Sequence, residues 1–95
     1  FGVVGPVIET EAAWEDLTIK VLVNDRERQS YPASDMILTP PDIVRLLSQD
    51  MTLNAGDLIA CGTSIGARPI KAGMRIEVVI EGIGRVASTM TAPDV

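Results

Sequence analysis

Leu17-Thr18-Ile19-Lys20-Val21-Leu22-Val23-Asn24-Asp25-Arg26-Glu27-Arg28-Gln29 is the stretch on which the fold turns. Leu17, Ile19, Val21 and Val23 alternate with Thr18, Lys20 and Leu22, the period-two pattern of a half-buried strand. Asn24 and Asp25 follow, and both tolerate the left-handed backbone that a tight hairpin turn requires. Arg26 to Gln29 reads as a polar return strand, expected at a sheet edge, where charge discourages pairing with other chains. The hairpin is expected to be structural rather than catalytic.

Outward from it, Ser30 to Thr39 reads as an irregular connection carrying Tyr31-Pro32 and Ser34-Asp35-Met36-Ile37. Pro40-Pro41 opens a helix ending near Asp50. Thr39 is its expected cap, proline suits the first helical position, and Asp42 stands where a carboxylate can bond back to the cap. Ile43, Leu46 and Leu47, widened by Val44, make an apolar stripe expected to cover a sheet, while Arg45, Ser48 and Gln49 face out. The rest is β-rich. Asn54-Ala55-Gly56-Asp57 reads as a turn feeding a strand from Leu58 to Cys61. Lys71-Ala72-Gly73-Met74 reads as a turn feeding a strand from Arg75 to Glu81, in which Ile76, Val78 and Ile80 alternate with Arg75, Glu77 and Glu81. Gly82-Ile83-Gly84 predicts a bulge or tight hairpin before a last strand, Arg85 to Met90, and Thr91 to Val95 is expected to fray. No interior stretch has linker composition, so 1–95 reads as one unit, α+β and β-rich, with one short helix.

The chain has 95 residues, 46% of them apolar and 22% charged. That excludes a disordered tail and bounds the answer to one domain or part of one. A chain this size buries roughly 60–65% of its unfolded surface, so independent folding is marginal. The formal charge is −5, and with no run of Lys or Arg a nucleic-acid footprint is not expected. Apolar runs fall far short of the roughly 20 residues of a membrane span. One Cys excludes an internal disulfide framework, and the absence of His excludes a Ser-His-Asp triad, a Cys-His pair and a His-ligated metal built from this chain alone. Phe1 opens the sequence without a basic leader, which reads as loss of an upstream segment or as ordinary N-terminal processing.

Ile59-Ala60-Cys61-Gly62-Thr63-Ser64-Ile65-Gly66 is the segment most suited to chemistry. Gly62 has no Cβ to keep a ligand from the backbone, and Thr63 and Ser64 add short donors, a combination that suits a carboxylate or a polarised carbonyl oxygen. A plain loop whose hydroxyls satisfy their own backbone has the same signature. The Gly-Lys-Ser/Thr of a phosphate-binding loop is missing. Cys61 has no His to activate it, and its apolar setting predicts a buried, inert thiol. Glu9 and Glu11 stand two apart, as a hard-metal pair on one side of a strand would, or as two solvated carboxylates.

Val4-Gly5-Pro6-Val7-Ile8, Val23-Asn24, Ser34-Asp35-Met36-Ile37, Leu47-Ser48-Gln49-Asp50-Met51-Thr52-Leu53, Gly56-Asp57, Cys61-Gly62-Thr63 and Ile80-Glu81-Gly82-Ile83-Gly84 stand in an order that resembles the C-terminal portion of the fumarylacetoacetate hydrolase family. The resemblance covers essentially the whole chain. It implies a β-rich mixed sheet or roll, a homodimer, and Mg²⁺ or Mn²⁺ as cofactor. It also implies action on 2-keto or 2,4-dioxo acids by C–C hydrolysis, decarboxylation, isomerisation or tautomerisation. In such enzymes a cation chelates the keto-acid oxygens and stabilises enolate-like charge, while a base moves a proton or activates water.

The family's Glu-x-Glu metal pair, a following Asp and a Lys all precede its Val-Gly-Pro motif. The catalytic residues and metal ligands are therefore expected upstream of Phe1, and Glu9 and Glu11, which follow Gly5-Pro6, do not match them. Of the functional positions, Thr63 within Gly62-Thr63 matches a substrate contact. Ser64-Ile65-Gly66-Ala67-Arg68 departs from relatives with Pro after Thr, and Asn24-Asp25 replaces a frequent Asn-Gly. The expectation is a C-terminal fragment of a cytoplasmic keto-acid enzyme, inactive by itself. The alternative is a non-catalytic β-rich binding or assembly module on the same scaffold.

Overall fold

The computed structural model describes residues 3–93. A turn of 3₁₀-helix, Trp14–Asp16, leads into β1 (Thr18–Val23), followed by β2 (Arg26–Pro32), α1 (Pro40–Asp50), β3 (Arg75–Ile80) and β4 (Gly84–Thr89). The four strands form one antiparallel sheet in the order β2-β1-β3-β4. The class is thus α+β and β-rich with one α-helix, and the polar return strand is an edge strand, as its charge predicts.

The β1–β2 hairpin turns on Asn24 (φ 50°) and Asp25 (φ 66°), both in the left-handed region that Asn and Asp tolerate. The return strand is longer than its composition suggests. Ser30, Tyr31 and Pro32, expected in an irregular connection, continue β2 opposite Lys20, Ile19 and Thr18. Pro32 is admissible because it ends an edge strand, where no ladder donor is needed. Val21 faces Gln29 while Leu22 faces Glu27, so Arg28 is the extra residue of a β-bulge.

Pairing register and the two-residue alternation of strands put Ile19, Val21, Val23, Gln29, Tyr31, Ile76, Val78, Ile80 and Val86 on one face. Lys20, Leu22, Arg75, Glu77, Val79 and Arg85 share the other. Among the described residues Val23 and Ala33 are the buried hydrophobic ones; Ile8, Ile37, Leu58 and Ile65 stand exposed. A radius of gyration of 15.0 Å exceeds the roughly 12 Å of a self-contained domain this long. Across the two faces of the sheet most side chains are half-buried rather than buried.

Thr39 caps α1, its hydroxyl accepting from Asp42 N at 3.2 Å, with proline in the first turn. The Asp42 carboxylate turns to Arg45, 3.9 Å away, instead of back to the cap. None of the helix residues is buried, so the Ile43/Leu46/Leu47 stripe covers less than expected.

Two further expectations are corrected, and Glu77 adds a finding. Leu58–Cys61 forms no strand, because no described strand runs alongside to complete its hydrogen bonds. Cys61 is exposed rather than buried, since that segment lies at the surface. Glu77, on the polar side of the alternation, is buried at 6% exposure because Arg75 and Arg85 fold over it. The Asn54–Asp57 and Lys71–Met74 turns form as read, closed by Asp57 N to Asn54 O at 3.1 Å and Met74 N to Lys71 O at 3.2 Å. Gly82-Ile83-Gly84 takes the tight-hairpin option, with β4 starting at Gly84. Of the tail expected to fray, 94–95 lie outside the described residues.

Candidate functional site

After α1 the chain runs from Leu58 without regular structure, and Cys61-Gly62-Thr63 comes to rest beside the apolar face at the β2 edge. There it helps line a pocket of about 420 Å³ together with Ile19, Tyr31, Ala33, Asp35, Met36, Ile37, Leu38 and Ile43. Most of the lining is hydrocarbon. Its polar groups gather at one end: the Thr63 and Tyr31 hydroxyls, the Gly62 backbone and the Asp35 carboxylate. Gly62 and Thr63 are both exposed. Gly62 has φ 88°, and a Cβ built on it meets nothing within 4 Å, so its glycine serves the backbone conformation and the open approach rather than packing.

A hydrogen-bonded strap fixes the loop. Gln29, opposite Val21 and 8% exposed, sends its side-chain amide across to Thr63 Oγ1 at 3.1 Å, Ser64 O at 3.0 Å and Ile65 O at 3.1 Å. Tyr31 Oη lies 3.4 Å from Thr63 Oγ1. Ser64 Oγ donates to Asp35 Oδ2 at 2.7 Å, so the one charged side chain of the lining is engaged by the loop. The strap closes at Gly66, whose φ of 104° is left-handed and whose absent Cβ would lie 3.1 Å from Gln29 Cγ and 3.2 Å from Arg28 O.

Thr63 and Gly62, singled out in the sequence, thus lie together on one pocket wall. Cys61 joins them on the lining; its Sγ is 3.8 Å from Ile59 O. Glu9 and Glu11 do not meet the site. Residues 7–11 form no strand, and Glu9 Oε1 accepts from Glu11 N at 2.9 Å, a local turn. Gln29, Tyr31 and Asp35 were given no part in the site by sequence reasoning. The available signal was the spacing of Gln29, Tyr31 and Ala33 at every second residue, which puts them on one face if the strand continues past Gln29.

The divalent cation implied by the resemblance finds no cage here. Among the described residues no three His, Cys, Asp or Glu side chains converge, and Asp35 is bonded to Ser64. The residues present do not fit a metal by themselves. Nor, among the described residues, is any helix long and apolar enough to cross a membrane.

Comparison with known proteins agrees with this architecture. The chain is 41% identical over 96 residues to an uncharacterized protein of Pyrococcus horikoshii, covering 99% of this chain and 42% of that protein. It is 35% identical over 94 residues to the oxaloacetate tautomerase YisK of Bacillus subtilis, covering 88% of this chain and 31% of the tautomerase. Among solved structures it superimposes on the maleylpyruvate hydrolase of Sphingobium sp. SYK-6 in complex with manganese (II) ion and pyruvate. The TM-score is 0.85 and the identity 37%, over 92% of this chain and 34% of that one. The chain thus spans less than half the length of these proteins. The family model for the fumarylacetoacetate (FAA) hydrolase C-terminal region matches residues 1–91, and the chain belongs to the fumarylacetoacetate hydrolase family.

Proposed function

We propose that this chain forms one wall of a keto-acid site, in a longer polypeptide whose other part supplies the cation and the acid/base groups. The carrying observation is the exposed Gly62-Thr63 pair at the polar end of an otherwise apolar pocket. A 2-keto or 2,4-dioxo acid has that division of character: oxygens crowded at one end, carbon chain at the other. The Thr63 hydroxyl and neighbouring N–H groups would grip a carboxylate or oxo oxygen, and the apolar lining would take the carbon chain. The names of the relatives support this class. Tautomerisation of oxaloacetate and hydrolysis of maleylpyruvate both act on 2-keto acids.

This division of labour assigns chemistry to the absent part. A hydroxyl and a bare backbone orient an oxyanion, but alone they offer no base and little charge to offset an enolate. The 95-residue chain is accordingly expected to show no turnover. The test is Thr63→Val in the full-length polypeptide carrying this sequence, assayed with Mg²⁺ or Mn²⁺ on oxaloacetate and on an acylpyruvate. Loss of one hydrogen bond to a charged oxygen predicts a rise in KM of about tenfold. Thr63→Ser should retain affinity. Unchanged kinetics in Thr63→Val would remove Thr63 from the site, and no turnover with any keto acid would favour a non-catalytic module on the same scaffold.

A further inference from the structure

We propose that Gln29 is the positioning residue of this site, deciding which way the Thr63 hydroxyl points its hydrogen and so how tightly the oxo-acid is held. This rests on the keto-acid reading above. Gln29 is buried, polar and directed at the loop instead of at solvent. Two of its three partners, Ser64 O and Ile65 O, are carbonyls that only accept. They settle the orientation of the amide, because its oxygen placed against them would set acceptor against acceptor. The nitrogen must face the loop, and the third group in its reach is Thr63 Oγ1.

A consequence follows for the hydroxyl. The Gln29 amide has two hydrogens for three acceptors, so Thr63 Oγ1 takes one of them in a bond shared with a neighbouring carbonyl; that bond occupies one lone pair and leaves Thr63's own hydrogen to be given elsewhere. Within the chain the alternative partner is Tyr31 Oη at 3.4 Å, a long contact. An oxygen of a bound keto acid at normal distance is the better acceptor. Gln29 thereby holds Thr63 as a donor toward the pocket, the polarity that a carboxylate or carbonyl oxygen needs. The same three contacts, served by two hydrogens, anchor a loop that belongs to no strand, across 34 to 36 residues of sequence. Gly66 makes this possible, since any side chain there would crowd Gln29 Cγ.

The experiment is a double-mutant cycle in the full-length polypeptide, with KM and kcat measured on oxaloacetate and on an acylpyruvate, and the affinity for pyruvate measured by calorimetry with Mn²⁺ present. Gln29→Met keeps the volume and removes the donor. With Thr63 in place it should weaken pyruvate affinity and raise KM by about tenfold, with a smaller change in kcat. In the Thr63→Val background the same substitution should change affinity less than about twofold, and in Thr63→Ser the tenfold effect should return. Gln29→Leu, which also removes the donor without placing an oxygen against the two carbonyls, should show the same coupling and serves if Gln29→Met does not fold. Equal losses in the Thr63 and Thr63→Val backgrounds would overturn the positioning role and leave the keto-acid site standing. Loss on Gln29→Met without any loss on Thr63→Val would overturn both.

Discussion

Glu77, buried on the central strand β3, pairs with Arg85 of neighbouring β4, whose Nη1 lies 3.1 Å from one carboxylate oxygen, and its other oxygen accepts from Arg75 Nη1 at 2.8 Å. On the side of the sheet that the sequence marks as polar, the Glu77 carboxylate is thereby shielded by two arginines. A carboxylate taken out of water needs its charge answered, and here both oxygens have a guanidinium. Arg85 remains largely in solvent and Arg75 about half, so the cost of disturbing the cluster falls on the glutamate.

Glu77→Gln should destabilise the protein by about 1–3 kcal/mol, because one amide end then sets N–H against a guanidinium donor in a buried place. Arg85→Ala should cost less than about 1 kcal/mol, as expected for the exposed partner of an ion pair. Urea-unfolding midpoints of the two variants check the order. Equal costs would mean that the buried carboxylate is not the strained partner.

Asn24 closes the β1–β3 ladder from both ends of its own residue. Its N–H donates to Arg75 O at 2.9 Å, and its Oδ1 accepts from Arg75 N at 3.0 Å. It also holds the first left-handed position of the hairpin. Asn24→Ala loses the acceptor and the tolerance of positive φ together, and should cost about 1–2 kcal/mol. Asn24→Asp keeps an acceptor and should cost less than half as much. Thermal unfolding of the pair distinguishes a bond carried by Oδ1 from one that any turn residue would replace.

Gly62 and Gly66 make a second contrast. Both have positive φ, but only at Gly66 would a Cβ meet nearby atoms. Gly62→Ala should cost about 1–2 kcal/mol of backbone strain. Gly66→Ala should cost about 2–4 kcal/mol, the same strain plus overpacking against Gln29 and Arg28. If chemical denaturation gave the two variants equal stability losses, the close approach of the loop to Gln29 would be of no energetic consequence.

Local chemistry made much of the scaffold legible. The alternation at Leu17–Val23 and Arg75–Glu81, the Asn24-Asp25 turn, the edge placement of the arginine-rich strand and the Thr39 cap are each decided by neighbours in sequence, and the structure has them all. What escaped depends on groups far along the chain. Leu58–Cys61 has strand-like residues, but a ladder needs a second strand beside it, and sequence spacing says nothing about whether one is there. The burial of Glu77 was not legible because its shielding comes partly from Arg85, on another strand. Of the site, Gly62-Thr63 was readable from small and hydroxyl side chains following an apolar run. Gln29 was not: a glutamine at the end of a charged stretch reads as surface, and only its reach across 34 residues to Thr63 gives it a role.

Tyr31 and Thr63 place two hydroxyls at the polar end of the pocket, 3.4 Å apart, and they are not equivalent. Thr63 is held by a buried amide, whereas Tyr31 meets it only at the limit of a hydrogen bond. Tyr31→Phe keeps the ring on the pocket wall and removes the hydroxyl alone. Unfolding free energy should change by less than about 0.5 kcal/mol, since a contact this long contributes little and the group left behind, Thr63, still bonds to Gln29. Keto-acid KM in the full-length polypeptide should change less than about threefold, against the tenfold expected for Thr63→Val. If Tyr31→Phe instead raised KM as far as Thr63→Val does, the bound oxygen would be shared between both hydroxyls, and the Thr63 hydrogen would point toward Tyr31 rather than into the pocket.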